Sequence, residues 1–148
     1  MQYYSTKKLI LPEGYFINTS QFPNPKDLNR LLVNCGCESF QLKKLSLAIK
    51  NSNFFFTIQN ESKNKLYGFV RVTSDRGLNA NLWNLSAEQG NNQNLFYLIL
   101  LQVTLEKINR EMPGCSNSVQ APVSSFKSLE ESGFILDPNG IRVMGFKL

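Results

Sequence analysis

The stretch LYGFVRVTSDRGLNANLWNLSAEQGNNQNLFYLILLQVTLEKINRE, residues 66–111, reads as strand, tight turn, strand, short polar loop and long helix. The loop, Ala87-Glu88-Gln89-Gly90-Asn91-Asn92-Gln93-Asn94, joins a strand end to a helix start. The first N–H groups of a helix lack partners within it, and its dipole is positive there, so such a junction can hold an anion. Asn92 or Asn94 could equally serve as an N-cap, which by itself accounts for the polar composition.

Outward from this stretch, residues 54–58 (FFFTI) read as a buried strand that pairs with residues 66–73 across a polar turn. Ser74-Asp75-Arg76-Gly77 reads as a turn with its glycine at positive φ. Residues 78–86 form the next strand, and their alternation changes phase between Leu82 and Trp83, the mark of a bulge. Trp83 and the Phe54–Phe56 run are expected in the core. Upstream, residues 7–18 suggest an edge strand interrupted at Pro12 and Gly14. Pro25 and Asp27 open a helix carrying Leu28, Leu31, Leu32 and Cys35, which Gly36 ends; a second helix covers residues 39–51. Lys43, Lys44 and Lys50 lie off its apolar face, as expected of a solvated surface. Downstream of the Pro113-Gly114 stop come a short strand (residues 116–121), a helix from Pro122 to Gly133 and a final hairpin.

The 148 residues are most simply one domain, 1–148, and 42% hydrophobic content suffices for a core. The absence of His excludes a His base, a His metal ligand and a Ser/His/Asp triad. Cys35-Gly36-Cys37 is a poor metal site without a further Cys or His cluster, so no metal is expected. Three Cys and no basic-then-apolar leader suggest a reduced, cytoplasmic setting. The longest apolar run, residues 95–101, is too short to span a bilayer. The net charge of +5 suits an anionic ligand or serves solubility; no basic–aromatic interleaving marks a nucleic-acid surface.

Three segments carry a family resemblance. They are residues 67–75 (YGFVRVTSD), residues 79–85 (NANLWNL), and Glu131-Ser132-Gly133-Phe134 followed by Asp137-Pro138-Asn139-Gly140-Ile141. In order and spacing they resemble the GNAT superfamily of N-acetyltransferases, especially its small cyanobacterial and plastid-type members. The resemblance implies an α+β fold, a mixed, mostly antiparallel twisted sheet flanked by helices. It also implies acetyl-CoA as cosubstrate, a small-molecule or protein amine as acceptor, and a homodimer as a common assembly. In that family the fourth and fifth strands splay and fourth-strand N–H groups polarise the thioester carbonyl. A loop at the following helix holds the pyrophosphate, and often a Tyr protonates the leaving thiolate. Carried over, the cofactor-binding residues are Leu85, Ser86, Ala87, Gln89, Gly90, Asn91, Asn92, Gln93 and Asn94.

The chain also departs from the pattern. Asn92 and Asn94 stand where the family has later glycines, which predicts a weakened cofactor loop. Asn84 stands where related sequences often have Asp, and Leu129 where they have the leaving-group Tyr. Glu88 is the remaining carboxylate near the expected centre, as a base or as a solvated first-turn charge favoured by the dipole. The alternative to an acyltransferase is a GNAT-fold module that senses a ligand or binds a protein without catalysis.

Overall fold

Among the described residues, alternating apolar side chains at the centre of the chain build one five-stranded sheet with helices on both faces. The computed structural model describes residues 8–136 and Phe146. Five strands run β1 (Tyr15–Asn18), β2 (Phe54–Asn60), β3 (Lys63–Ser74), β4 (Asn79–Ala87) and β5 (Ser116–Val119). The helices are α1 (Pro25–Asn34), α2 (Leu42–Lys50), α3 (Gln93–Glu111) and α4 (Phe126–Glu131), the last entered through a 3-10 turn, Val123–Ser125. The strands lie in chain order and are antiparallel, except that β5 runs parallel to β4. No helix of the described residues is long and apolar enough to cross a membrane.

The two faces of the sheet bury different side chains. Val70 and Val72 of β3 and Leu82 and Leu85 of β4 pack with Phe96, Leu100 and Ile108 of α3. Phe55 and Phe69 face the other way, onto Leu28, Leu31 and Leu32 of α1 and Leu45 and Ile49 of α2. Because α3 has buried residues all round, it sits deep against the sheet and packs on α4 as well. At Gly68 the packing leaves no room for a side chain: a Cβ would stand 3.0 Å from Leu100 Cδ1 of α3 and 3.1 Å from Ile58 Cδ1 of β2.

Local signals place the helix ends well. Asn24 caps α1 by accepting from the Lys26 and Asp27 N–H groups, Pro25 comes next, and Gly36 leaves the helix at φ +88°. Elsewhere the structure corrects the expectation. Residues 9–11 form no strand; the Tyr15 N–H bonds the Pro12 carbonyl across a turn, and β1 begins only there. In the β3–β4 turn the positive φ belongs to Arg76 (62°) and not to Gly77. Asp75 explains this: its Oδ1 accepts from the N–H groups of Gly77, Leu78 and Asn79 and so dictates the path of the turn. The helix expected from Pro122 starts as a 3-10 turn, and Val123 is exposed. Most of the expected final hairpin lies outside the described residues; residues 134–136, within them, form no strand.

Two outcomes are expected. Gly68→Val should destabilise the fold by about 1–3 kcal/mol through overpacking against Leu100 and Ile58, read as a lower thermal midpoint. The N–H groups around Asp75, first that of Asn79, hold its carboxyl at a pKa of about 2, below its ordinary value. A depressed carboxylate stabilises the fold above its unfolded pKa and loses that contribution as pH falls toward 2. Asp75→Asn should therefore flatten the fall in thermal midpoint between about pH 4 and pH 2.

Candidate functional site

The bulge anticipated near Trp83 sits at Asn84. Opposite β3, Arg71 pairs with Trp83 and Phe69 with Ser86, so β4 spends one extra residue between them. Asn84 takes φ 55°, a left-handed conformation that Asn tolerates better than most residues. The bulge re-aims the side chains on either side of it. Trp83 is half-buried instead of core; its indole N–H donates to Thr73 Oγ1 at 2.7 Å and the Arg71 guanidinium lies 5.7 Å from its ring centre.

Beyond the bulge β4 loses its second partner. Its parallel register with β5 runs from Asn79–Ser116 to Leu82–Val119, with a last contact from the Gln120 N–H to the Leu82 carbonyl. Among the described residues, β4 pairs from Trp83 to Ala87 with β3 alone, so its outer edge opens onto a gap. The side chains of Leu85, Ser86 and Ala87 are buried, and Ser86 Oγ donates to the Asn84 carbonyl. What these residues can present to the gap is therefore main chain.

One phenol reaches into the divergence. Tyr97, in the first turns of α3, is fully buried, and its hydroxyl lies 2.8 Å from Ser124 Oγ in the 3-10 turn before α4. It also lies against the Ala87 main chain and donates to Cys35 Sγ at 3.7 Å. Burial pushes its pKa well above the ordinary phenol value; the bonds from Ser124 and Ala87 pull the other way and are outweighed. It is a protonated hydroxyl at neutral pH. Sequence reasoning passes over Tyr97 because it looks like one more apolar position of a buried helix.

The loop residues divide between anchoring and exposure. Glu88 Oε2 pairs with Arg30 Nη1 at 2.6 Å and Oε1 with Lys65 Nζ at 3.0 Å, its side chain 16% exposed. Arg30 in turn binds Asp27 at 2.6 Å and donates to the Leu66 carbonyl. Burial works against the Arg30 charge, but the bonds to Glu88 and Asp27 prevail and hold its pKa above the ordinary value. With cations on both oxygens, Glu88 ties the loop to α1 and β3. The side-chain amides of Gln89 and Gln93 donate to the Asn34 and Ala87 carbonyls.

Between these anchors the main chain is open. The N–H groups of Asn91, Asn92, Asn94 and Leu95 meet no partner among the described residues. Gly90 has φ +141° with nothing within 4 Å of a Cβ. Asn92 sits at the N-cap with φ −97° and makes no side-chain cap bond, while Asn94 Oδ1 accepts from Ser128 Oγ of α4. Neither Asn is the side-chain cap that composition suggests, and neither occupies a backbone conformation reserved for glycine. Leu129 is buried in the core.

No protein-family profile matches the chain. It is 30% identical over 142 residues to the uncharacterized N-acetyltransferase ycf52 of Porphyra purpurea, covering 93% of this chain and 79% of that protein. The fold superposes on the Staphylococcus aureus protein SA2161, described as a probable acetyltransferase, with TM-score 0.78 at 17% identity over 90% of this chain and 99% of that one. A second solved structure, the GNAT family acetyltransferase SP0256 of Streptococcus pneumoniae, gives TM-score 0.63 at 13% identity over 90% and 98%. A sheet whose fourth and fifth strands part beside an open helix N-terminus, together with this relatedness, places the chain in the GNAT superfamily of N-acetyltransferases.

Proposed function

We propose that this protein transfers an acetyl group from acetyl-CoA to an amine. The observation that carries the reading is the pair formed by the uncovered outer edge of β4 and the unpartnered N–H groups at the start of α3. The bound cosubstrate supplies an acetyl group activated as a thioester. The Gly90 main chain and the N–H groups of Asn91, Asn92, Asn94 and Leu95 suit a diphosphate, with Gly90 leaving room for close approach. The outer edge offers the Leu85 main chain and the Ala87 N–H to bind an extended chain and stabilise charge developing on a carbonyl oxygen, the Ala87 carbonyl being taken by Gln93 and Cys35. The Tyr97 hydroxyl, between the Ala87 main chain of β4 and Ser124 of the 3-10 turn, holds a proton for a departing thiolate. Glu88, paired with two cations, acts as an anchor in this scheme and not as the base.

A second reading is a GNAT-fold protein that holds acetyl-CoA without turning it over. The Asn84 amide, engaged by Arg71, and the buried Leu129 favour it, since neither supplies acid or base.

Calorimetric titration with acetyl-CoA should give saturable binding, and Gly90→Trp should abolish it by filling the open loop. Absence of binding at millimolar ligand would overturn both readings, and binding without CoA release on a panel of amines would select the second. Tyr97→Phe should lower kcat about 100-fold while leaving the acetyl-CoA Kd unchanged. An unaltered kcat would remove Tyr97 from the chemistry.

A further inference from the structure

On the face of the sheet covered by α2 lies a cavity of about 210 Å³, lined by Phe40, Lys44, Leu45, Ala48, Arg71 and Asn84. That is many times the ~10–15 Å³ that one water requires. It abuts the bulge where β4 leaves β5, so a molecule held there lies next to the proposed site of transfer.

Among the described residues, the Arg71 charge in this cavity has no counter-ion. Arg71 projects from β3 and is half-buried, yet no carboxylate pairs with it among the described residues. Its Nε donates to Asn84 Oδ1 at 2.7 Å and its Nη1 to Ser52 Oγ at 3.4 Å, both neutral groups. The Nη2 hydrogens make no bond among the described residues. Burial lowers the Arg71 pKa, which reports that its charged form is held at a cost. Buried charges are ordinarily paired, and an unpaired guanidinium in a cavity is a functional-site signal. Its planar fork matches an oxoanion, which it can bind through two parallel bonds. Asn84 holds Nε, and so fixes the plane of the fork, without neutralising it. Lys44 adds a second positive charge, while Phe40, Leu45 and Ala48 supply apolar walls.

We propose that the acceptor is a small amine that also carries an oxoanion, and that Arg71, oriented by Asn84 and assisted by Lys44, binds the anion in the cavity beneath α2. This rests on the acetyltransferase reading and names the class of its acceptor. The anionic end enters the cavity and the amine points toward the bulge. Cations at one end and apolar walls between them select against amines whose other end is positive.

Trp83, the sole tryptophan, lies against Arg71 and reports on the cavity without any need for turnover. Three probe pairs separate the anion from the rest of the molecule: 4-aminobutyrate against its methyl ester, O-phosphoethanolamine against ethanolamine, and each acid against a diamine of equal length. Trp83 fluorescence, recorded with and without acetyl-CoA, should respond saturably to at least one acid. It should respond about 10- to 100-fold more weakly to the partners that lack the anion, the ester, the alcohol and the diamines. CoA release should show the same preference in KM. Arg71→Met should bring each acid to within about twofold of its ester or alcohol. Asn84→Asp, nearly isosteric and placing a carboxylate on the guanidinium, should do the same if Arg71→Met fails to fold; acetyl-CoA binding should persist in both. Equal response to acid and ester, or a preference that survives in a folded variant, would overturn the proposal. Failure of acetyl-CoA to bind while Trp83 still responds to the acid would instead remove the acetyltransferase reading and leave an anion site.

Discussion

Every main-chain N–H and C=O along a strand edge needs a partner, and β4 cannot satisfy its outer edge with β5 along its whole length. The extra residue at Asn84 is the cause: it keeps β4 paired with β3 while re-aiming the strand, and β5 is left behind at Val119. Two side chains from other elements compensate for that parting. Tyr97 sends a hydroxyl from beside Ala87 to Ser124 of the 3-10 turn, and the Cys35 thiol reaches the Ala87 carbonyl at 3.3 Å. A gap that would otherwise strand polar groups is thus lined by hydroxyl and thiol.

The same bulge governs the opposite face. Left-handed Asn84 directs its side chain to Arg71, and Arg71 in turn lies against Trp83. A strand without the bulge would have continued the strict alternation set by Ala80 and Leu82, with no amide placed to hold the guanidinium. One irregularity therefore sets the opening toward α3 on one side and the cationic cavity beneath α2 on the other.

Much of the architecture is legible in the sequence because its signals are local. Pro25, Gly36 and Pro113 act within a turn of where they stand, and period-2 or helical spacing marks most elements. The phase change at Leu82–Trp83 discloses the bulge to within a residue or two. What escapes is set by partners far along the chain: Glu88 meets Arg30 58 residues away, and Tyr97 meets Ser124 27 residues away. Trp83 reads as core, and does not lie there, because the bulge that its neighbours signal also rotates it outward. Likewise, Asn at positions 92 and 94 suggests an impaired loop. Within this loop only Gly90 takes a positive φ, so it alone has a torsional need for glycine.

The anchors of that loop bear on how fast a ligand could arrive. Glu88 is clamped by Arg30 and Lys65, Gln89 grips the end of α1, and Gln93 folds back onto Ala87. The segment is thus already in one arrangement and has little freedom to surrender when an anion arrives. An anion bound there as proposed would need no rearrangement of these anchors, and its encounter rate would fall with ionic strength as the chain's positive charge is screened.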